Sequence, residues 1–343
     1  MNILIIGGAG FLGANLVRYC LNKPDVTVTV MDVLEPHLHA TIENLKPVWN
    51  KIRFIRGDMR DETLLAEVVQ KQDIIFNCAA QTSHPLSLQH PLLDASINCL
   101  GNLKLLETIR LLNPDAVVVY PSSSTVIGKA TQSIVDETHS EKPLDIYSAN
   151  KSVAEKYYCI YHTVHNLKTV VLRFANLYGP YGRGLPEFGF INYFIKLIQN
   201  NQPITIFGSG SQTRNVMYVE DAAEVMWLAA TAPPKSIPLK GEEQGVGLFG
   251  KSYFATSDQH LSVIEIAETI VHVFDKGKII HISWPDERKR IEVGTVKFSS
   301  KCLSEILAWQ PKYDFEMGLR QTRNAKLNLT GLNPSTPQKH DNT

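Results

Sequence analysis

Short apolar segments alternate with longer helical patterns along the first half of the chain. The segments at residues 2–6, 26–31, 52–56, 73–78, 116–120 and 169–173 are apolar over nearly their whole length. This is typical of strands that helices cover on both faces. Helical periodicity lies between them, most clearly over residues 92–112 and 148–165. The alternation predicts βαβ units, a parallel sheet and therefore a doubly wound α/β fold.

The pattern changes after residue 173. The Gly/Pro-rich stretch NLYGPYGRGLPEFG at 176–189 predicts a loop, and shorter mixed elements follow it. The prolines and glycines within residues 231–251 indicate a connecting loop. We predict a first domain over residues 1–174, to which some later segments return, and a smaller α/β domain over residues 175–327. The polar tail over residues 328–343 is predicted to be disordered.

The composition favours an enzyme that acts on small molecules. The chain has 343 residues, of which 44% are hydrophobic, enough for a substantial core. Its 34 basic and 34 acidic side chains give a net charge of 0, so charge provides no attraction to nucleic acid or an anionic membrane. The five cysteines are scattered without a CxxC pair, and no long apolar stretch occurs. We therefore expect a cytoplasmic protein without a membrane span, a disulfide framework or a metal site.

A glycine-rich loop follows the first predicted strand and precedes a helical pattern. The loop residues are Gly7, Gly10, Phe11, Leu12 and Gly13, and Asp32 ends the second predicted strand about twenty residues further on. Such a loop lets the backbone approach a pyrophosphate at a helix N-terminus. A tight strand-to-helix turn is the alternative, but the acidic residue at this spacing favours a dinucleotide site. Asp32 would bind ribose hydroxyls and repel a 2′-phosphate, which favours NAD over NADP.

A tyrosine and a lysine stand four residues apart at the start of a helical pattern. Tyr147 and Lys151 would share a helix face, and serines at 122–124 follow the fifth predicted strand. A tyrosine that acts as a base near pH 7 needs its pKa lowered by about 3 units, or about 4 kcal/mol. Lys151 and a positively charged nicotinamide would both act in that direction. Such pairs are usually on the surface and such serines usually form loops, yet their coincidence with the glycine loop favours catalysis.

Taken together, the motifs resemble the extended short-chain dehydrogenase/reductase family, in its branch of nucleotide-sugar epimerases and dehydratases. The resemblance covers roughly residues 1–325. It rests on GGAGFLG with Asp32, GDM at 57–59, NCAAQ at 77–81, SSSTVIG at 122–128, YSANK at 147–151, LRFANLYGP at 172–180 and QTRNVMYVED at 212–221. It implies an NAD-binding Rossmann domain, a smaller C-terminal α/β domain that closes over a nucleoside diphosphate sugar, and a homodimer.

The resemblance also implies roles for individual residues. Tyr147 would be the catalytic base, Lys151 its ribose-binding partner, and Ser123 a hydrogen-bond partner of the reacting sugar oxygen. Further cofactor contacts are expected from Asp58, Met59, Ala79, Ala80, Gln81 and Asn98. Substrate contacts are expected from Ser124, Thr125, Asn176, Arg214 and Arg288, with the arginines on the diphosphate. The alternatives are an inter-domain ion pair for Arg214 and a solvated face for Arg288.

The residues after Ser123 narrow the implied reaction. The family's hexose 4,6-dehydratases carry Asp-Glu there as acid and base, and its UDP-glucuronate decarboxylases usually place a glutamate two residues on. This chain has Ser124 and Thr125, which is similar to UDP-galactose 4-epimerases. We therefore expect 4-epimerisation of a UDP-hexose through a transient 4-keto sugar. Tyr147 would take the proton of the 4-hydroxyl while hydride passes to NAD⁺ and later returns to the opposite face.

Other interpretations stay open. Ile127, Asn215 and Ala308 depart from the residues usual in the family, which indicates a subfamily whose substrate differs from galactose. The enzyme alternatives are an NDP-4-keto-sugar reductase, a 3,5- or 2-epimerase, and a 4,6-dehydratase or decarboxylase of the same family. A non-catalytic NAD-binding sensor is the alternative from another class. The helical pattern at 148–165 is apolar on more than one face, which also suggests a dimer interface.

Overall fold

The computed structural model describes residues 1–35, 40–232, 247–285 and 292–325. The strands in these ranges are β1 (Asn2–Ile6), β2 (Thr27–Asp32), β3 (Ile52–Arg56), β4 (Ile74–Asn77), β5 (Val117–Ser123), β6 (Lys168–Phe174), β7 (Asn176–Tyr178), β8 (Ile204–Phe207), β9 (Thr213–Tyr218), β10 (Lys251–Ala255), β11 (His260–Ser262) and β12 (Ile279–Ile282). The α-helices are α1 (Phe11–Leu21), α2 (Glu62–Val68), α3 (His84–Gln89), α4 (Pro91–Asp94), α5 (Gly101–Leu112), α6 (Ile146–His165), α7 (Phe190–Gln199), α8 (Val219–Thr231), α9 (Val263–Phe274), α10 (Lys301–Leu307) and α11 (Phe315–Asn324). Segments of 3₁₀ helix lie at Ile42–Lys51 and Ser124–Ile127, and a π-helical segment lies at Ala95–Leu100.

A parallel sheet organises the first half of the chain. Among the described residues it has seven strands in the order β10-β6-β5-β4-β1-β2-β3, and every pairing is parallel. The predicted doubly wound α/β fold is confirmed, and β1 and β3 have the bounds that the sequence predicts. Strand β10, which was not predicted from the sequence, comes from the second half of the chain and forms one edge of the sheet by pairing with β6.

The strands are buried on both faces because their side chains alternate. Ile3 and Ile5 belong to the core on one face, while Leu4 and Ile6 belong to the core on the other. All four are 0–1% exposed. On the first face α1 packs beside α8, and on the second α5 packs beside α2 and α6. Fully burying each such aliphatic side chain contributes about 1.5–3 kcal/mol, which explains why these strands are almost purely apolar.

The helix predicted over residues 92–112 is present but is not uniform. It consists of α4, the π-helical segment Ala95–Leu100 and α5. A π-helical turn inserts an extra residue into the helix and is common at functional sites. Here it contains Asn98, whose side chain is fully buried against the loop after β4.

The helix predicted over residues 148–165 begins two residues earlier, as α6. Its N-cap is Asp145, whose carboxylate accepts a hydrogen bond from the Ser148 N–H at 2.8 Å. This cap satisfies one of the free N–H groups of the first turn. It also places Tyr147 and Lys151 in the first two turns of the helix.

The second half forms a smaller α/β unit with its own core. The order β11-β9-β7 makes a three-stranded sheet within the described residues, and β8 pairs with β12. Helices α7, α9 and α11 contribute buried side chains such as Ile195, Ile266 and Leu319. The prediction of a loop over residues 176–189 was wrong for its first three residues, which form β7. A strand this short shows no period in the sequence, and only pairing with β9 defines it.

Some predictions fall on parts of the chain that the structure does not describe. Most of the predicted connecting loop lies at residues 233–246, outside the described ranges, and so do the predicted disordered tail and Arg288. Within the described ranges, no helix has both the length and the apolar character that crossing a membrane requires.

Candidate active site

The candidate site lies at the carboxyl ends of the parallel strands, where the strand order reverses between β1 and β4. Two adjoining cavities open there, of about 520 Å³ and about 270 Å³. The larger is lined by Phe11, Leu12, Gly13, Ser123, Thr125, Tyr147, Lys151, Asn176 and Arg214, and the smaller by Asp32, Asp58, Met59 and Ala79. Gly7, Gly10 and Ala80 line both. The fold thus brings most of the predicted site residues together.

The glycine loop forms a concave backbone surface, here called the glycine cradle. Side chains at two of its positions would collide with neighbouring backbone atoms. Gly7 has a φ of +75°, and a Cβ there would lie 2.5 Å from the Ala79 nitrogen. A Cβ on Gly13 would lie 2.2 Å from the Gly7 oxygen. Helix α1 begins just after Gly10 with no side-chain cap and no acidic residue in its first turn. The loop therefore presents unobstructed backbone at a helix N-terminus, which suits the pyrophosphate of a dinucleotide.

Asp32 is held at the edge of the smaller cavity by the backbone. Its carboxylate accepts hydrogen bonds from the Ala9 and Leu34 N–H groups, each at 2.9 Å. Burial raises the pKa of the Asp32 carboxyl, while these two hydrogen bonds oppose the rise. The carboxylate is thus fixed where the sequence analysis expects the adenosine ribose.

Asp58 lines the same cavity, but its carboxylate is already bound by an arginine. The Arg60 Nε donates to both carboxylate oxygens, at 3.0 and 3.1 Å, and the Arg60 Nη2 donates to Oδ2 at 2.5 Å. The hydrogen bond with Arg60 holds the pKa of Asp58 below its usual value. Arg60 is therefore an additional wall residue that the sequence analysis did not name.

Gln81 and Asn98 do not line either cavity, contrary to the direct cofactor contacts expected of them. The Asn98 amide accepts from the Gln81 N–H at 3.1 Å and donates to the Gln81 carbonyl at 2.8 Å. The Gln81 Nε2 donates to the buried carboxylate of Asp94 at 2.7 Å, and Asn150 donates to the other Asp94 oxygen at 2.8 Å. These amides fix the backbone after β4, whose Ala79 and Ala80 do reach the cavities.

The predicted catalytic residues meet at the wall of the larger cavity. Strand β5 extends three residues beyond its predicted end and finishes at Ser123, opposite Phe174 of β6. Tyr147, at the start of α6, is 7% exposed. The Lys151 ammonium is buried, donates to the Pro121 carbonyl at 3.0 Å, and lies 4.4 Å from the centre of the Tyr120 ring.

A chain of hydroxyl groups links Ser123 to the helix that carries Tyr147. The Ser123 and Thr125 hydroxyl oxygens are 2.8 Å apart, and the Ser148 hydroxyl donates to Thr125 Oγ1 at 2.8 Å. Ser123 also caps the 3₁₀ segment by accepting from the Thr125 N–H at 3.2 Å. These bonds orient the Ser123 hydroxyl. Ser124 lies instead in a small side recess, which Thr125, Asn176 and Arg214 also line.

Burial shifts the pKa values of both Tyr147 and Lys151. It raises the pKa of Tyr147, and a hydrogen bond with Ser123 opposes the rise. It lowers the pKa of Lys151 to about 8. The Lys151 ammonium contacts Pro121 and Tyr120. It therefore does not produce the decrease in the Tyr147 pKa that the sequence predicts. Base catalysis by Tyr147 needs the positive charge of a bound nicotinamide as well.

We expect Lys151→Met to make the nucleotide-free protein more stable at pH 7. The pKa of Lys151 falls from an ordinary 10.5 to about 8, so by linkage the buried ammonium costs about 3 kcal/mol while both states are protonated. This cost is complete below pH 8 and disappears above the unfolded-state pKa of 10.5. Thermal unfolding at pH 7 and pH 10 tests this: the gain in Tm should shrink at pH 10. A variant less stable than wild type at pH 7 would contradict it.

Two of the predicted substrate residues, Asn176 and Arg214, line the larger cavity, and each already has hydrogen-bond partners within the chain. The Asn176 Nδ2 donates to the Asn215 carbonyl at 2.9 Å. Arg214 pairs with Glu292 at 2.5 Å and donates to the Gly294 carbonyl at 2.7 Å. Both residues lie within the predicted second domain, so this is an ion pair inside that domain and not the inter-domain pair given as the alternative for Arg214. Glu292 therefore binds the same Arg214 guanidinium group that would have to bind a substrate phosphate.

The asparagine at 215 has a structural explanation. Its Nδ2 donates to the Ser257 carbonyl at 2.6 Å and to the Gln259 carbonyl at 3.1 Å. An aspartate, the residue usual in the family, could not donate these bonds when ionised. The asparagine at 215 is thus explained by local hydrogen bonding.

Besides Arg60, the site contains Arg183 and His84, which were not predicted from the sequence. Arg183, in the loop after β7, lines both cavities. His84 lines the larger one, its Nδ1 is 2.7 Å from Asp145 Oδ2, and its ring packs edge-on against Tyr147 with centroids 4.7 Å apart. The available signals were a lone arginine in a Gly/Pro-rich loop and a histidine three residues after the NCAAQ motif. Neither has a spacing that indicates chemistry.

Comparisons with known proteins agree with this geometry. The sequence model described as "NAD dependent epimerase/dehydratase family" matches residues 3–239. The chain is 30% identical over 325 residues to a putative UDP-glucose 4-epimerase of Methanocaldococcus jannaschii, covering 94% of this chain and 97% of that protein. It is 30% identical over 331 residues to the dTDP-D-glucose 4,6-dehydratase of Mus musculus, covering 93% and 87%.

A solved structure of similar fold is the UDP-glucose 4-epimerase of Thermus thermophilus in complex with NAD. It superposes with a TM-score of 0.79 at 26% identity, covering 95% of this chain and 100% of that one. Fold, cradle and catalytic constellation all agree with the family that the motifs suggested. The chain belongs to the NAD-dependent epimerase/dehydratase family.

Proposed function

We propose that this enzyme epimerises C4 of a UDP-hexose and uses NAD as a cofactor that is regenerated in every turnover. The observation that carries the proposal is the placing of Ser123, Tyr147 and Lys151 on one cavity wall, while the residues directly after Ser123 are hydroxyl residues. The second relative of equal identity is a dehydratase, so the family alone does not decide the reaction.

The chain's own residues divide the work between binding and proton transfer. The glycine cradle and Asp32 hold the pyrophosphate and ribose of NAD, which supplies a hydride acceptor when bound. Ser123 donates a hydrogen bond to the reacting sugar oxygen, and Tyr147 removes the proton from that oxygen. Lys151 binds the nicotinamide ribose and, once NAD is bound, contributes positive charge near Tyr147. Asn176 and Arg214 bind the substrate diphosphate, and Arg214 must release Glu292 to do so.

The direct test is incubation of the purified enzyme with UDP-glucose, UDP-N-acetylglucosamine and UDP-glucuronate in separate reactions without added nicotinamide. Proton NMR and mass spectrometry follow each sugar. We expect a new anomeric signal at unchanged mass for one of them. Loss of water or of carbon dioxide, or net consumption of added NADH with a 4-keto sugar, would replace epimerisation with one of the other family reactions.

A second candidate function is dehydration, because a second ionisable pair borders the same cavity. His84 and Asp145 form a hydrogen-bonded pair beside Tyr147, and elimination of water needs an acid and a base near the sugar. The mass measurement separates this candidate from epimerisation. If the product has lost water, His84→Gln should abolish that loss.

We further propose a cytoplasmic homodimer assembled through α6 and the helical segments at 91–112. These present exposed apolar side chains that a monomer would leave in water: Leu92, Leu100, Leu111, Val153, Ile160 and Val164, with exposed fractions from 38% to 85%. Contiguous exposed apolar surface of this kind marks interaction sites.

The division into domains at residues 174 and 327 is likewise our proposal. All five cysteines are free thiols, which suits a reducing compartment.

We expect Ile160→Asp to convert the dimer to a monomer, because a carboxylate at the centre of an apolar interface loses its hydration. Ile160 is 50% exposed. Size-exclusion chromatography with light scattering measures the mass in solution. Met317→Asp is the matched control, since Met317 is 48% exposed on α11, away from this face. An unchanged mass for Ile160→Asp would rule out this interface.

A further inference from the structure

Arg183 carries a charge that interacts with the Asp32 carboxylate across the smaller cavity but forms no ion pair in the described part of the chain. No carboxylate lies within ion-pair distance of it there, and its Nε is buried without a hydrogen-bond partner. Its Nη1 is 3.4 Å from the Thr82 hydroxyl, and its guanidinium lies 4.6 Å from the centre of the Phe188 ring. Removing this guanidinium from water costs free energy of desolvation, which an anionic ligand would offset.

The position of Arg183 indicates which anion it meets. The walls shared by the two cavities consist, among the described residues, of Gly7, Gly10, Cys78, Ala80 and Arg183. Arg183 is the charged member of this set. Its Nη2 is 3.8 Å from where a Cβ on Gly10 would be, so the guanidinium faces the cradle across the passage between the cavities.

A dinucleotide has to run through that passage. Asp32 lines the smaller cavity and Tyr147 the larger one, so the adenosine and nicotinamide halves occupy different cavities and the pyrophosphate joins them at Gly10. The cradle offers backbone N–H groups on one side. Arg183 offers a planar set of donors on the other, which matches phosphate oxygens.

We propose that Arg183 is a positioning residue that clamps the NAD pyrophosphate from the side opposite the glycine loop and so retains the cofactor between turnovers. An epimerase needs such retention, because it must hold the reduced cofactor until the hydride is returned. The inference depends on NAD binding and not on the identity of the sugar, so it holds or fails separately from the proposed epimerisation.

The test measures nucleotide affinity in Arg183→Met and Arg183→Lys. Titration calorimetry of nucleotide-free protein uses NAD, ADP and adenosine, and NAD-saturated protein is titrated with UDP. For Arg183→Met we expect NAD and ADP to bind roughly ten- to a hundred-fold more weakly, as for loss of a charged hydrogen bond. Adenosine and UDP should bind as to wild type, and Arg183→Lys should be intermediate. Arg53→Met is the control for loss of one positive charge, since Arg53 is exposed on β3.

Each of the following outcomes would contradict the proposed clamp. Weaker UDP binding with unchanged ADP binding would assign Arg183 to the sugar nucleotide, whose diphosphate has the same chemistry. Unchanged binding of every nucleotide would leave the arginine without a ligand role. A lower Tm of the nucleotide-free variant with uniformly weaker binding would show a structural role, whereas removing a half-buried cation that forms no ion pair should leave that Tm equal or higher.

Discussion

Replacing Tyr147 with phenylalanine should reduce kcat by roughly a hundred- to ten-thousand-fold, the range associated with loss of a positioned general base. Tyr147 lies on the wall of the larger cavity, with a hydrogen bond to Ser123. Phenylalanine fills the same space without the hydroxyl, so the fold and the NAD site should be retained. Steady-state rates with the accepted sugar, together with the amount of bound NAD, measure both effects.

The matched control is Tyr161→Phe on the same helix. The Tyr161 hydroxyl donates to Glu107 at 2.8 Å, outside the cavities, so its loss should cost about 1 kcal/mol of stability and leave kcat unchanged. A Tyr147→Phe enzyme that keeps a rate within a few-fold of wild type would exclude the tyrosine as the base. If neither wild type nor variant acts on any sugar while both bind NAD, the sensor alternative gains support.

Replacing Arg173 with methionine should destabilise the protein by about 3–5 kcal/mol, because it leaves a buried carboxylate without its partner. Arg173 on β6 is 4% exposed, and Glu155 on α6 is 2% exposed. The Arg173 Nη2 lies 2.6 Å from Glu155 and 2.5 Å from Glu141. Urea unfolding of the two proteins measures the difference, with the slope m expected to stay constant.

Two further variants show whether burial causes that loss. Arg320→Met removes an arginine whose ion pair with Glu316 is exposed on both sides, so it should cost less than about 1 kcal/mol. Arg173→Met combined with Glu155→Leu removes both charges and should recover most of the stability. A loss in Arg173→Met no larger than that in Arg320→Met would mean that water reaches Glu155.

Much of the site could be predicted because its signals are local. Gly7 and Gly13 stand in a turn that only glycine fits, and Asp32 ends a strand that pairs directly with β1. Tyr147 and Lys151 are spaced by one helical turn. Their chemistry is visible in short stretches of sequence because the backbone geometry of a strand end or a helix start fixes the direction of each side chain.

Other features depended on packing between distant segments. Gln81 and Asn98 were expected at the cofactor but turn to each other, because a π-helical turn places the Asn98 amide against the loop after β4. Arg214 was expected on a phosphate and pairs with Glu292, a residue far away in the chain. In each case the side chain met a polar partner that sequence spacing does not reveal.

By itself, then, the sequence determined the α/β fold, and it predicted an NAD cradle and a catalytic tyrosine–lysine pair, since these signals lie in the periodicity or spacing of neighbouring residues. The tertiary structure decided which charges remain available at the site. Arg183 reaches the glycine loop and His84 reaches Tyr147 only when β7 and α3 are packed around the sheet edge. The free energy of a buried charge depends on every group around it, and that set of groups exists only in the folded chain.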